Sequence, residues 1–319
     1  MFELSPKLHN AEGKIRKAGF EIEYTGLRPL QAASIVVQHF GGDAKEIDEY
    51  ETVVENTKYG KFSIYLDSVY LRRDAKEYIF KDQEIFKDLV YSLSELVVPY
   101  EIVTPPIPFT HLQEIENFRL GLKNAGALGT SASILYAFGM HINIETYSFE
   151  YSEIADILRA FVLLQDYIID HIKVDLTRKF TWFIEPFSKE YIEHLLKTQY
   201  ANFEEFAHDY IFYNPTRNRA LDLLPLLLFI DQSLQKHLPP QKLSPRPAFH
   251  YRLPNSRIDE DNWNIAFEFN HWTMVEKVAT NKEKLHDLVQ EYFDFQETPF
   301  WFIKELWIER VEQWLKEEL

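Results

Sequence analysis

Polar and apolar residues alternate with a period of two over residues 19–24, 61–67 and 135–144, the pattern of strands with one buried and one polar side. Residues 97–103 are more apolar but read as extended. Residues 31–40 and 109–123 read as helices. Beyond Tyr151 the period lengthens, and Ile154, Ile157, Leu158, Phe161, Leu164, Ile168 and Ile172 recur at helical spacing. Further helices are predicted at 203–213, at 220–238 with a kink or late start at Pro225, at 282–293 and at 302–317. Strand patterns return at 248–253 and 264–270. Strands in the first half and helices in the second predict an α+β fold with a largely antiparallel sheet. Pro239-Pro240 and Pro245-x-Pro247 form a stiff connection before the strand at 248–253. No repeat or composition break marks a boundary, so one domain over residues 1–319 is expected.

Composition narrows the chemistry. The chain has 34 Lys and Arg against 50 Asp and Glu, a formal charge of −16 with His neutral. That excess opposes nucleic acid and anionic membrane as partners, because phosphate contacts need cations that are outnumbered here. The absence of cysteine excludes a disulfide scaffold, a thiolate zinc site, an iron–sulfur cluster and a thiol nucleophile. All ten glycines lie at or before Gly139, so turns in the second half fall to Pro and Asn, and neither a Walker loop nor a G-x-G-x-x-G turn occurs. The first twenty residues lack the apolar core of a secretory signal, and the run at 223–230 is too short to cross a bilayer; a soluble cytoplasmic protein is expected.

Splitting each strand by parity separates its two faces. Phe20, Ile22 and Tyr24 share one side, Glu21 and Glu23 the other. Glu101 is a lone charge among apolar and turn-forming neighbours. His141 and Asn143 alternate with Met140, Ile142 and Ile144; His250 and Arg252 with Phe249, Tyr251 and Leu253; Glu268 and Asn270 with Phe267 and Phe269. Two adjacent carboxylates on a buried face cost on the order of several kcal/mol per desolvated ion unless cations or protons offset them. Glutamates plus a histidine, without cysteine, suit Mg²⁺ or Mn²⁺, and Arg252 with Arg219 suits the phosphates that such metals carry. Taken singly, each motif also has a bland reading, as a solvated strand face, a structural histidine or a surface cation.

In order along the chain stand Gly19-Phe-Glu-Ile-Glu23, Asp67-Ser68, Tyr100-Glu-Ile-Val-Thr-Pro-Pro106, Gly139-Met-His-Ile-Asn143, Arg252-Leu-Pro254 and Phe267-Glu-Phe269. This series resembles the amidoligase family of carboxylate–amine ligases, relatives of glutamine synthetase and glutamate–cysteine ligase. The resemblance implies a curved antiparallel sheet of the glutamine synthetase type, with helices on its convex side and ATP and metals in its concave face. It further implies that Glu21, His141 and Glu268 form one metal-ligand set and that Glu23 and Glu101 belong to another. Arg252 and Glu268 would be catalytic, Arg252 meeting the phosphates, with Asp67, Ser68 and Arg219 also on the nucleotide. Asn143, Asn255 and Asn270 would meet the substrate. The chain departs from the family at Asn270, where an Arg is common, and at Asn143, where many relatives of the wider group have a second His. The implied reaction joins a small-molecule or peptide carboxylate to an amine, through an acyl phosphate made with ATP and Mg²⁺ or Mn²⁺. A metal-dependent hydrolase on the same carboxylates and a catalytically silent binding subunit are the alternatives. The aromatic tail with Trp301, Phe302, Trp307 and Trp314 is predicted to be a helix packed on the core or a surface for self-association.

Overall fold

Lys17–Tyr24 forms strand β1, whose Ala18, Phe20, Ile22 and Tyr24 side chains are all fully buried on one side. The computed structural model describes residues 1–66, 99–130, 138–173, 184–241 and 243–319. The described strands are β1, β2 (Asp43–Asp48), β3 (Glu51–Thr57), β4 (Gly60–Leu66), β5 (Tyr100–Val103), β6 (Ile107–Pro108), β7 (Met140–Glu145), β8 (Leu221–Asp222) and β9 (Ala248–Tyr251). They form an open curved sheet in the order β2-β3-β4-β5-β1-β7-β9-β8, with β6 paired to the start of β1. Every pairing is antiparallel. Asp67 and Ser68 lie outside the described residues, as do parts of the stretches 97–103 and 135–144.

The described helices are α1 (Pro29–Phe40), α2 (Gln113–Asn124), α3 (Tyr151–His171), α4 (Lys189–Lys197), α5 (Phe203–Tyr213), α6 (Leu224–Ile230), α7 (Ile265–Thr280), α8 (Lys282–Gln296) and α9 (Lys304–Glu318). The apolar stripe of α3 is buried along Ile154, Ile157, Leu158, Phe161, Leu164 and Ile168, and α7, α8 and α9 pack on that helix. Trp272 of α7 meets Phe249 and Tyr251 of β9, so the helical layer seats against the apolar face of the sheet. Where glycine is missing, asparagine caps helices: Asn202, Asn264 and Asn281 each accept a first-turn backbone N–H of α5, α7 and α8. Trp307 and Trp314 of α9 are buried, with Phe300, Trp301 and Phe302 exposed just before it. Among the described residues no helix is long and apolar enough to cross a membrane.

Two expected elements take another form. Residues 264–270 are not a strand: the Asn264 side chain accepts the Phe267 N–H at 2.8 Å and opens α7. Ile265, Phe269, Trp272, Val275 and Glu276 then follow at helical spacing and are buried. The alternation Phe267-Glu268-Phe269 is thus the first turn of a helix surrounded by protein. Residues 220–238 divide into β8, α6 and a 3₁₀ turn at Gln232–His237. Pro225 fits the first turn of α6, Asp222 Oδ1 accepts the Leu224 N–H at 2.9 Å, and Asp231 ends the helix by accepting the Ser233 N–H at 2.8 Å. β2 and β3 carry no clear alternation and were not predicted, nor was α4.

One buried ion pair joins the two ends of this layout. Arg16 and Glu276 both have fully buried side chains, with Nη2 to Oε1 at 2.5 Å and Nη1 to Oε2 at 3.1 Å. Ser5 and Trp272 Nε1 also donate to Glu276, while Arg16 donates to the carbonyls of Lys7 and Glu145. Every strong donor and acceptor of the pair is thereby used. Truncating either partner strands the other charge, which costs about 3–5 kcal/mol. Glu276→Leu and Arg16→Met are each expected to lose about that much in urea unfolding, and the double variant to lose clearly less than the sum; additive losses would refute the coupling.

Candidate active site

The face opposite the core is polar because parity puts every second residue of these strands there. Cross-strand register then sorts those residues into rows. Glu51, Tyr65, Glu101 and Glu23 lie opposite one another in turn across β3, β4, β5 and β1. Glu21 of β1 faces His141 of β7. Gly19, Asn143, His250 and Asp222 form the next row across β1, β7, β9 and β8. A pocket of about 1000 Å³ lies over these rows, at the upper end of the range for small-molecule sites. Glu21, Glu51, Glu101, Asn143, Asp222 and His250 line it, together with Arg217 and Arg246 from the connections before β8 and β9. Glu51, Glu101 and Glu21 thus line it from β3, β5 and β1, with Lys17 also on β1, while Arg217 and Arg246 line it beside Asp222 of β8 and His250 of β9.

At the centre Glu21 is half-buried and fully engaged. Asn143 Nδ2 donates to its Oε1 at 2.7 Å, His141 Nδ1 lies 3.1 Å from its Oε2, and Arg246 Nη2 is 4.0 Å from Oε1. Arg246 Nε donates to Asn143 Oδ1 at 2.8 Å, and His250 Nδ1 meets the same oxygen at 3.0 Å. Arg252 Nη1 reaches His250 Nε2 at 3.1 Å. Burial works against the Glu21 carboxylate, yet its interactions with His250, His141 and Arg246 hold it well below the usual carboxylate range. Of these, Arg246 is the permanent charge. Burial keeps the His250 imidazole well below its ordinary value despite the pull of Glu21, so it is neutral and keeps a lone pair. Burial pushes Asp222 up to about 7, against the Leu224 N–H and the charges of Arg252, Arg246 and Arg217.

The structure brings together some of the expected residues and separates others. Glu21, His141 and Asn143 meet, Glu101 lines the pocket, and Glu23 stands opposite Glu101 with its carboxylate accepting the Gly139 N–H at 2.6 Å. Arg252 is buried behind His250. Glu268 is fully buried on α7, accepting from Trp263 Nε1 at 2.9 Å and the Asn255 N–H at 3.4 Å, and does not join Glu21 and His141. Asn255 holds the Ile172 carbonyl at 2.9 Å, and Asn270 ties down the first residues through Met1 O and the Glu3 N–H. Arg219 is bound to the Pro186 and Tyr213 carbonyls and to Glu185. Arg217, Asp222 and Arg246 went unnoticed as site residues because they stand in or beside connections, where no periodicity marks them. His250 was placed on a polar face by parity alone.

Donor chemistry decides what this face can hold. Glu21, His141 and His250 each offer a ligand atom within 4.8 Å of the others, the group of three or more such side chains found among the described residues. One carboxylate and two imidazoles fit a divalent cation. The alignment of the chain with the family model described as "Putative amidoligase enzyme" runs over residues 14–274, well over half its length, and takes in every pocket residue named above. No curated protein and no solved structure matches the chain. With a family match of that extent, the chain belongs to the amidoligase family, whose description is that of a ligase-type enzyme.

Proposed function

We propose that this protein is an ATP-dependent carboxylate–amine ligase working through an acyl phosphate, on a sheet of the glutamine synthetase type. The observation that supports the reading is that the carboxylates of Glu51, Glu101 and Glu21 on β3, β5 and β1 share one pocket with the guanidinium groups of Arg217 and Arg246 beside β8 and β9. In the first half-reaction a carboxylate oxygen takes the γ-phosphoryl group of ATP and ADP leaves. In the second, an amine attacks the acyl carbon, phosphate leaves, and the amine gives up a proton as the amide forms. Glu21, His141 and His250 would hold one divalent cation, and Glu23 with Glu101 a second, where such ions neutralise phosphate charge. Glu268 is left out of this set because it does not fall within the cluster of Glu21, His141 and His250; Trp263 Nε1 and the Asn255 N–H both meet its Oε1. Arg246 and Arg217 bind and orient the anionic substrate at the far edge. Arg252, once drawn from His250, stabilises the transferred phosphoryl oxygens. Asn143 fixes Glu21 and Arg246 in register with each other.

A second reading rests on the same trio. Two histidines and a glutamate are also the ligand set of metal-dependent hydrolases. Such an enzyme turns over amides with no nucleotide present, which separates it from the ligase in a single assay.

Coupled ADP release with MgATP over a panel of amino acids, peptides and ammonia tests the ligase directly. Glu21→Gln is expected to lower ADP formation by about two orders of magnitude or more, whereas Glu268→Gln keeps metal-dependent turnover. Equal losses in both would return Glu268 to the metal set. MgATP at roughly 100 times its Kd is expected to raise Tm by about 4 °C, since that occupancy adds about 2.7 kcal/mol. No shift at any concentration would exclude a nucleotide site. Asp222 supplies a pH test of the ligand-free protein. Its folded pKa of about 7 exceeds its ordinary value of 3.8, so the folded state holds the extra proton and this contribution to stability falls as pH rises from about 4 to about 7. Asp222→Asn is expected to remove that slope and to be more stable than the parent at pH 8 by on the order of 2–4 kcal/mol; a parallel pH profile would contradict it.

A further inference from the structure

The turn between α8 and α9 carries Phe300, Trp301 and Phe302, consecutive aromatic residues that leave 55%, 44% and 67% of their surface exposed. Their neighbours on α9 behave differently. Trp307 is buried against Tyr292 and Phe295 of α8, and the buried Trp314 donates its Nε1–H to Asp287 at 2.6 Å. The aromatic tail is thus divided into a part that packs on the core and a part that does not. The exposed part is nonetheless fixed in place. Trp301 and Ile303 donate their backbone N–H groups to the Thr298 and Phe300 carbonyls at 3.3 and 2.9 Å. Lys189 Nζ of α4 stands 3.4 Å from the centre of the Trp301 ring, and Phe302 meets that ring at right angles, with centroids 6.1 Å apart. A hydrogen-bonded turn and a cation over an indole hold the rings in one arrangement before a partner arrives, which lowers the entropy cost of association.

Area and charge single out the partner. At about 200 Å² for each aromatic side chain, these exposures leave roughly 330 Å² of ring surface in water. Two copies set face to face would remove about 660 Å². With about 65% of a homodimer interface apolar, a contact built on this core totals about 1,000 Å², the size that a specific dimer needs. The rim carries both signs, for exposed Lys189 and Glu190 open α4 and exposed Lys304 and Glu305 open α9. Under a two-fold axis each lysine can meet a glutamate of the other copy, whereas a nucleic acid or an anionic membrane calls for cations alone. α8 and α9 pack on α3, in the layer against the apolar face of the sheet, so this contact leaves the pocket on the opposite face open.

We propose that Phe300, Trp301 and Phe302 form the core of a two-fold contact between two copies of this chain. The inference does not depend on the ligase reading, since neither nucleotide nor metal takes part in it.

Sedimentation velocity of the full chain over about 1–100 µM tests it. A monomer–dimer equilibrium with a midpoint in the micromolar range is expected, and it should persist in 0.5 M NaCl because ring burial rather than the charged rim drives it. The double variant Trp301→Ser/Phe302→Ser is expected to raise the midpoint at least about 100-fold with Tm unchanged. Phe302→Arg, which sets like charges against each other across the axis, is expected to do the same and serves if the double variant does not fold. A parent that is monomeric at 100 µM, dimers that dissociate in 0.5 M NaCl, or an unchanged midpoint in a folded variant would each overturn the proposal. So would a monomer that instead co-sediments with phosphatidylcholine vesicles, which would assign the same rings to a lipid surface.

Discussion

A β-strand cannot turn two successive side chains to the same side, and β1 has protein against one face and a pocket against the other. That parity obliges the strand to be two things at once. Its even-numbered residues from Ala18 to Tyr24 are sealed in the core. Its odd ones, Glu21 and Glu23, are pressed together on a half-buried face, where each charge needs compensation. The compensation comes from neighbours in register: His141 and Asn143 across the pair with β7, and Gly139, whose N–H is given to Glu23. From there the demand spreads outward, Asn143 recruiting Arg246 and His250, and His250 meeting Arg252. The site is the set of groups needed to make two glutamates tolerable in the middle of a sheet.

The same layout draws its carboxylates from strands and its guanidinium groups from the connections between them. Glu51, Glu101 and Glu21 sit on β3, β5 and β1, whereas Arg217 and Arg246 precede β8 and β9. Carboxylates from the strands and guanidinium groups from the connections therefore face one cavity.

Much of this was legible before any coordinates. Period-two alternation located β1, most of β4 and β9 and the described part of β7, and parity put Glu21, Glu101, His141 and His250 on polar faces, because strands buried on one side must alternate. Helical spacing located α3, α5 and α8 closely. The failures have physical causes too. Phe267-Glu268-Phe269 alternates over too few residues to tell a strand from the turn of a helix buried all round, and the deciding feature was the capping amide of Asn264. β2 has all six residues exposed and is held by its partner β3, so nothing in its own pattern announces it. Arg246 lies in a proline-flanked connection, and Glu276 on a helix, where a buried carboxylate looks in sequence like a solvated one. Arg219 was the residue expected at the phosphates, yet it is tied to backbone carbonyls while Arg217, two residues earlier, lines the pocket.

The clamp between Arg16 and Glu276 spans 260 positions of the chain. At a synthesis rate of about 5–20 residues per second, a ribosome needs roughly 13–50 s to deliver the glutamate after the arginine. The start of β1 is thus made long before the glutamate that secures it. Until its distant partners emerge, β1 is an unprotected edge with apolar residues on one side, the kind of surface that nascent-chain chaperones cover. Closure of the clamp is in this sense timed by chain connectivity rather than by any local propensity.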